Sequence, residues 1–329
     1  MGNINAIITG VAGYVPDYVL NNEELSRMVD TNDEWIVTRT GIKERRILTV
    51  EGLGTSYMAR KAAKLLMKKT GADPDSIDAL LVATTTPDYV HPSTASIVLG
   101  KLGLKNAFAF DFSAACCGFM YALDVACNMI QSGRHKRIIV IGADKMSSIT
   151  DYQDRATCPL FGDGAGAVLV EATEEENIGL IDSFHRTDGK GLPFLHVKAG
   201  GSVCPSSHYS VDHRMHYTYQ EGRFVFRYAV TAMGDDCEEL LKRNHLTMDD
   251  VNYIIPHQAS RALPLVMEKL GVGENQYLNL LTDYGNMVSV SVPFGLAYSL
   301  DHGLVKEGDT VYLMGTAAGM TVNMLALKL

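Results

Sequence analysis

Two adjacent cysteines stand out in the segment DFSAACCGFMYAL, residues 111–123, which is otherwise almost entirely small or apolar. A strand-like run precedes them, and the pattern predicts a helix from near Ala114 to about Ser132. Cys116 and Cys117 then fall in the first helical turn, where unpaired N–H groups and the helix dipole favour a thiolate and lower its pKa. Free cysteine is also among the most buried residue types, so this segment alone leaves nucleophilic chemistry and core packing both open.

Two further polar residues occupy positions suited to binding a carbonyl oxygen. His257 ends the predicted buried strand VNYIIPH, and ligands of open α/β sheets bind beyond the carboxyl ends of the strands. Asn286 lies in the turn TDYGNMVS, ahead of a second apolar helix. A structural histidine and ordinary turn chemistry are the alternatives for these residues. If the chain brings them to Cys116, a nucleophile and two oxygen-directed donors would support covalent chemistry on a thioester.

The elements that must position these residues alternate between strand-like and helical patterns. Continuous apolar, β-rich runs predict strands that are covered on both faces. An apolar stripe predicts a helix over 56–71, which Gly71 ends in the manner typical of glycine. A second long helix is predicted over 223–244. The predicted strands lie at 78–85, 137–144, 166–172, 251–257 and 310–317.

Three landmarks repeat along the chain in the same order. The repeated pairs, each about 170 residues apart, are Asp75 and Asp249, Gly103 and Gly271, and Gly142 and Gly315. This spacing indicates a duplicated α/β unit, so we predict two halves, residues 1–173 and 174–329, packed as a pseudo-dimer in αβαβα layers. The helix after Cys116 would lie back to back with the helix after Asn286, between the two sheets.

The composition excludes several classes of protein. The 329 residues are 47% hydrophobic and 20% charged, as in an ordinary globular protein with a sizeable core. A net charge of −9 argues against nucleic acid as a partner, and no apolar run is long enough to span a membrane. Residues 1–16 show no basic segment of the kind that begins a signal peptide. The six cysteines have no metal-ligand spacing, which predicts reduced thiols in a cytoplasmic protein without a bound metal.

Two other motifs suggest ligand binding but have simpler alternatives. FGDGAGA at 161–167 lacks the lysine and the full spacing of a nucleotide-binding loop, so its glycines are predicted to permit a tight turn between strands. DEWIVTRTGIKERR at 33–46 holds the only tryptophan, Trp35, among basic residues. Tryptophan with arginine could stack an adenine and bind phosphates, whereas a packed loop with solvated charges is the alternative.

Several motifs together resemble the β-ketoacyl-acyl-carrier-protein synthase III family, the initiating condensing enzymes of bacterial fatty-acid synthesis, which have the thiolase fold. DTNDEWIVTRTGIKERRI, SAACCGFMYAL, LFGDGAGAVL, PHQAS and YGN occur in the family's order and spacing across essentially the whole chain. The resemblance implies that Cys116 is the nucleophile and that Cys117 packs in the core. It also implies catalytic roles for His257 and Asn286.

The resemblance assigns binding roles around this centre. Trp35 and Arg155 match a pair that would sandwich the adenine of coenzyme A, and Arg39 matches another arginine on that side. Arg227 matches a basic position implicated in docking the acyl carrier protein. Arg261 lies one position earlier than the commoner docking arginine.

The chain departs from the family's pattern around the implied pocket. Ala318 stands where a glycine would supply an N–H to the oxyanion, together with the N–H of Cys116. GNMVSVSVP replaces a more typical Thr-Ser-Ala-Ala run beside Asn286. His91 lies where the family often has a large apolar residue that faces the partner subunit's acyl pocket. These departures concern the choice of acyl group and leave the chemistry intact.

The resemblance implies a decarboxylative condensation. Cys116 would take an acetyl or a short or branched acyl group from acyl-CoA, and malonyl-acyl carrier protein would then accept it to give a 3-oxoacyl product. Coenzyme A enters only as the substrate thioester, no metal or redox cofactor is implied, and a homodimer is expected. A condensing enzyme of secondary metabolism and an inactive acyl-CoA-binding paralogue are the alternatives. A biosynthetic thiolase is disfavoured because no cysteine follows Cys237.

Overall fold

Two sheets of similar topology form the frame of the molecule. The structure is a computed structural model that describes residues 4–329; residues 1–3, the start of the N-terminal segment considered above, lie outside the described part. The strands are β1 (Asn5–Tyr14), β2 (Val19–Asn21), β3 (Glu44–Arg46), β4 (Ala79–Ala83), β5 (Phe108–Phe112), β6 (Arg137–Asp144), β7 (Gly164–Thr173), β8 (Gly179–Thr187), β9 (Leu195–Val197), β10 (Thr218–Gln220), β11 (Tyr253–Pro256), β12 (Thr310–Ala317) and β13 (Thr321–Lys328). The helices are α1 (Asn22–Leu25), α2 (Asp33–Thr40), α3 (Thr55–Thr70), α4 (Thr94–Leu102), α5 (Gly118–Gln131), α6 (His208–Asp212), α7 (Gly222–Arg243), α8 (Ala262–Lys269), α9 (Leu281–Tyr284) and α10 (Ser291–Asp301).

The two large sheets repeat one arrangement of strands. The first has the order β1-β7-β6-β4-β5 and the second has the order β11-β12-β13-β8. In each sheet a parallel pair, β4 with β6 or β11 with β12, is extended by antiparallel strands. The order β1-β7-β6-β4 therefore corresponds to β8-β13-β12-β11, and β5 is an additional edge strand parallel to β4. This shared topology confirms the predicted duplication, while the boundary between residues 173 and 174 stays a prediction.

Two apolar helices fill the space between the sheets. Helices α5 and α10 share one buried apolar cluster with strands of both sheets. Helices α3 and α4 cover the other face of the first sheet, and α7 and α8 cover the other face of the second. The central strands show continuous apolar runs in the sequence because helices bury them on both faces. The predicted αβαβα layers are confirmed.

The most regular sequence patterns predicted their elements closely. Strands β6 and β12 have the predicted bounds, and β4 and β11 are slightly shorter than predicted. Helix α3 ends at Thr70 and is followed by Gly71, whose φ of 69° is the left-handed conformation expected for a glycine after a helix. Within residues 4–329 no helix combines the length and the apolar character needed to cross a membrane.

The glycines of FGDGAGA serve a different purpose from the one predicted. Gly164 and Gly166 lie within β7, not in a turn. A Cβ atom at Gly166 would stand 2.5 Å from the backbone nitrogen of Phe294, and one at Gly162 would stand 2.4 Å from the carbonyl oxygen of Tyr284. The predicted tight turn was therefore wrong, because these glycines instead allow the chain around β7 to approach the backbone of α10 and the segment before it.

Candidate active site

One cavity of about 540 Å³ contains the residues that the sequence singled out for chemistry. Cys116, His257 and Asn286 all line it, although they come from three separate parts of the chain. Most of the remaining wall is apolar. Its apolar residues include Ala115, Met146, Ile149, Leu160, Phe161, Val288 and Met320.

Cys116 lies in a 3₁₀ turn, Ala115–Cys117, that connects β5 to α5. The predicted helix start near Ala114 was early, since the α-helix begins at Gly118. The predicted lowering of the thiol pKa was also wrong: burial raises the pKa of Cys116 to about 12, and the charge of Asp144 acts in the same direction. Desolvation of the thiolate outweighs the backbone N–H group that would stabilise it. Cys116 is therefore a protonated thiol at neutral pH.

Cys117, the neighbouring thiol, belongs to the core. It is fully buried and does not line the cavity within the described chain. Its Sγ lies 3.5 Å from the carbonyl oxygen of Gly315 in β12. Burial raises the pKa of Cys117 well above its ordinary value. Its predicted place in the packed interior is confirmed.

His257 directly follows the last residue of β11 and is only 3% exposed. Its backbone N–H donates to the carbonyl oxygen of Met314 in β12 at 2.8 Å, which holds it at the carboxyl end of two parallel strands. Burial lowers the pKa of the imidazole to about 4, so the ring is neutral at neutral pH. A neutral imidazole has one N–H, which can donate to a carbonyl oxygen without adding charge to the cavity.

Asn286 stands between Gly285 and a second 3₁₀ turn, Val288–Val290, that leads into α10. Its backbone N–H donates to the carbonyl oxygen of Leu160 at 2.8 Å. Its side-chain Oδ1 accepts a hydrogen bond from the N–H of Val288 at 2.9 Å. Because Oδ1 is used in this way, the NH₂ group is the part of the amide left to donate to a ligand.

An aromatic and basic cluster lies at the cavity. Trp35 and Arg39, both on α2, line it. The guanidinium of Arg39 lies 4.9 Å from the centre of the Trp35 ring, and that of Arg155 lies 4.6 Å from the same point. Arg155 also faces the carboxylate of Asp30 at 3.6 Å. The three residues implied to bind coenzyme A thus form one cluster, and an adenine between Trp35 and Arg155 would have to displace the arginine from the ring.

The other predicted site residues differ in their position. Ala318 lines the cavity just beyond the end of β12. Arg227 is exposed on α7, and Arg261 donates a hydrogen bond to the carbonyl oxygen of Thr38 in α2. His91 is exposed between β4 and α4, and it is not part of the cavity wall in the described chain. The roles assigned to these four residues stay predictions.

Two charged residues at the site were missed by the sequence analysis. Arg223 lines the cavity and lies one helical turn before Arg227. The helix predicted over 223–244 already placed these two arginines on the same face. Asp144 ends the buried strand β6, lies close enough to Cys116 to affect its pKa, and is fully buried. Its position at the carboxyl end of a strand, like that of His257, was the available signal.

Two duplicated α/β halves with Cys, His and Asn in a shared cavity define the class of thiolase-like condensing enzymes. The sequence model described as 3-oxoacyl-[acyl-carrier-protein (ACP)] synthase III matches residues 110–189, and the model of its C-terminal part matches residues 241–329. The β-ketoacyl-[acyl-carrier-protein] synthase III of Phocaeicola vulgatus is 59% identical over 100% of this chain and 98% of its own length. The chain belongs to the 3-oxoacyl-[acyl-carrier-protein] synthase III family, which confirms the resemblance seen in the sequence.

Solved structures share the fold. The 3-oxoacyl-[acyl-carrier-protein] synthase III from Aquifex aeolicus VF5 matches with a TM-score of 0.89 and 37% identity, covering 98% of this chain and 100% of its own. A priming β-ketosynthase from the R1128 polyketide biosynthetic pathway matches with a TM-score of 0.90 and 32% identity, covering 98% and 96%. The predicted thiolase-like fold is confirmed.

Proposed function

We propose that this protein catalyses the β-ketoacyl-acyl-carrier-protein synthase III reaction. An acyl-CoA starter and malonyl-acyl carrier protein give a 3-oxoacyl-acyl carrier protein, free coenzyme A and carbon dioxide. The observation that carries the proposal is the meeting of Cys116, His257 and Asn286 in one cavity. A thiol nucleophile beside two neutral donors suits a carbonyl substrate whose oxygen becomes negative during the reaction.

The first proposed step transfers the acyl group to Cys116. The sulfur bonds to the thioester carbon, the bond from that carbon to the sulfur of coenzyme A breaks, and coenzyme A leaves as a thiol after taking up the proton that Cys116 gives up. Because the pKa of Cys116 is raised to about 12, its proton has to move during the attack and not before it. The neutral ring of His257 is a basic group in the cavity that can accept it. The N–H groups of Cys116 and Ala318 are the proposed donors to the oxyanion.

The second proposed step forms the carbon–carbon bond. The malonyl carboxylate leaves as carbon dioxide, and its bonding electrons pass into an enolate of the thioester. The N–H groups of His257 and Asn286 are the proposed donors to the enolate oxygen. The enolate carbon then bonds to the acyl carbon on Cys116, whose sulfur leaves and takes up a proton that solvent supplies. Coenzyme A is a fragment of the substrate, and these steps call for no separate cofactor.

Basic residues near the cavity support a proposed docking site for the carrier protein. Arg223 lines the cavity, and Arg227 is exposed one turn further along α7. Because the chain carries a net charge of −9, an acidic carrier needs a local basic patch to be attracted. Arg261 is the weaker candidate, since its guanidinium already donates to the carbonyl oxygen of Thr38.

We further propose that the protein acts as a homodimer in the cytoplasm. The edge strand β5 presents the partly exposed rings of Phe108 and Phe110, which supports pairing with a second copy. All six cysteines are free thiols, which supports a reducing compartment.

Intact-mass measurement tests the two chemical steps separately. Incubation with acetyl-CoA or a short branched acyl-CoA should add one acyl group, which Cys116→Ala should abolish. Malonyl-acyl carrier protein should then discharge the acyl group as a 3-oxoacyl product. A protein that only binds acyl-CoA would stay unmodified, and acylation without condensation across the short-chain panel would contradict the proposal.

A role in secondary metabolism is the second candidate function. The structural match to a priming β-ketosynthase of a polyketide pathway supports this second candidate. Extending the panel to aromatic and long-chain acyl-CoA separates the two roles. A strong preference for those starters would favour secondary metabolism, whereas preference for acetyl or short branched starters supports the initiation of fatty-acid synthesis.

A further inference from the structure

A buried carboxylate that takes no part in the proposed chemistry links three segments around the cavity. Asp144, the last residue of β6, is fully buried. Its Oδ1 accepts hydrogen bonds of 2.7 to 3.2 Å from the hydroxyl groups of Thr84, Thr85 and Thr86 and from the N–H groups of Thr85 and Thr86. Its Oδ2 accepts from the Oγ of Ser289 at 2.6 Å and from the N–H of Ser289 at 3.1 Å. One side chain thus connects the end of β4, the end of β6 and the turn that begins α10.

In the repeat, Ser289 corresponds to Cys116. The spacing that relates Gly142 to Gly315 also relates Cys116 to Ser289, so Ser289 stands in the second half where the proposed nucleophile stands in the first. A Cβ atom at Gly142 would lie 2.3 Å from the carbonyl oxygen of Ser289. Strand β6 can therefore approach this turn only because residue 142 is a glycine.

The turn that contains Ser289 needs support from its surroundings. Val288 has a φ of 52°, and a β-branched residue is a genuine outlier in the left-handed region. Such conformations persist where neighbouring groups hold them. The N–H of Val288 is also the donor that fixes Oδ1 of Asn286 at 2.9 Å. The conformation of this strained residue therefore sets the direction of the Asn286 amide.

We infer that Asp144 and Ser289 form a clamp that holds Val288 in its left-handed conformation. By holding that residue, the clamp orients the amide of Asn286 for the condensation step. Asp144 and Ser289 are positioning residues, because they act through Asn286 and not on the reacting atoms. The role of the clamp in condensation rests on the proposed function. The existence of the clamp is inferred independently, from the hydrogen bonds of Asp144. It also gives a role to a serine in GNMVSVSVP, the segment where this chain departs from its family's pattern.

Two serine variants test the clamp. Ser289→Ala removes the hydroxyl that donates to Asp144, and Ser291→Ala is the matched control, because Ser291 is also buried and its Oγ has no hydrogen-bond partner within the described chain. We expect Ser289→Ala to slow condensation about 10- to 100-fold while the acylation of Cys116 changes less than about threefold. Ser291→Ala should leave the ratio of the two rates unchanged. A purely structural loss would lower both rates together, in step with the folded fraction, and would overturn the inference.

A rescue variant and a structural comparison complete the test. Val288→Gly combined with Ser289→Ala should recover part of the condensation rate, because glycine adopts a positive φ without strain. In crystal structures, residue 288 should leave the left-handed region in the Ser289→Ala protein and keep it in the Ser291→Ala protein. An unchanged turn, or no recovery on adding Val288→Gly, would overturn the clamp. A wild-type protein that forms no acyl-enzyme would instead refute the proposed function, and the structural comparison would still decide on the clamp.

Discussion

At the residue scale, Asn286 separates the two proposed steps. Its NH₂ group is directed by the hydrogen bond that Oδ1 accepts from Val288, while the proposed oxyanion donors of the acylation step are backbone N–H groups. We expect Asn286→Ala to lower condensation about 100- to 1000-fold and to leave the acylation of Cys116 nearly unchanged. Rapid quenching with mass detection measures both rates. Asn128→Ala, at an exposed position on α5, is the control, and equal losses in both steps would contradict the assignment of Asn286.

The protonation states of Cys116 and His257 also predict a pH dependence. Because the pKa of Cys116 is raised to about 12, the thiol stays protonated through neutral pH and its thiolate fraction grows with pH. The rate of alkylation of Cys116 by iodoacetamide should rise about tenfold per pH unit between about pH 7 and pH 10 without levelling off. His257 is protonated only below about pH 4, so its state does not change over this range.

The matched control for this profile is Cys116→Ser, which reports the alkylation of other thiols such as the partly exposed Cys204. A rate that levels off near neutral pH would show that the N–H groups at the start of α5 outweigh the burial of the thiolate. That result would restore the lowered pKa that the sequence pattern had predicted.

At the scale of elements, the close approach of β7 and α10 sets the geometry of the central layer. A Cβ atom at Gly166 would meet backbone atoms of Phe294 and Pro293 at 2.5 and 2.6 Å, and backbone cannot move aside as a flexible side chain can. Gly166→Ala should therefore lower the free energy of unfolding by about 1–3 kcal/mol. Urea denaturation measures the change. Gly189→Ala is the control, since a Cβ atom there would meet nothing within 4 Å, and equal stability of the two variants would contradict the argument.

The sequence predicts elements well where their cause is local. Strands β6 and β12 are continuous apolar runs, and their bounds follow from that pattern alone. The glycines of β7 could not be interpreted in the same way, because their reason is the backbone of α10, far along the chain. The predicted pKa of Cys116 was wrong for a similar reason. The helix start that would lower the pKa is a local feature, whereas the burial that raises it depends on residues from both halves of the chain.

At the scale of the whole molecule, the same turn occurs in both halves but holds the proposed nucleophile in the first half and a proposed positioning residue in the second. Ala115 and Val288, related by the spacing of Gly142 and Gly315, have φ values of 48° and 52° and precede Cys116 and Ser289. The repeat therefore predicted that the two helix starts would meet, and the cavity confirms that Cys116 and Asn286 share one wall. The repeat alone could not show that the second copy of the turn is tied to Asp144, since that contact joins one half to the other.

The assembly of the molecule is the remaining prediction at this scale. Phe108 and Phe110 on the edge strand β5 are 42% and 37% exposed, and their stacked rings lie 6.3 Å apart. An unpaired edge with apolar side chains favours pairing with a second copy, so sedimentation should show a dimer. Phe110→Lys should shift it toward the monomer, whereas Val203→Lys, at a residue that is 98% exposed, should not. A monomeric wild-type protein would contradict the dimer.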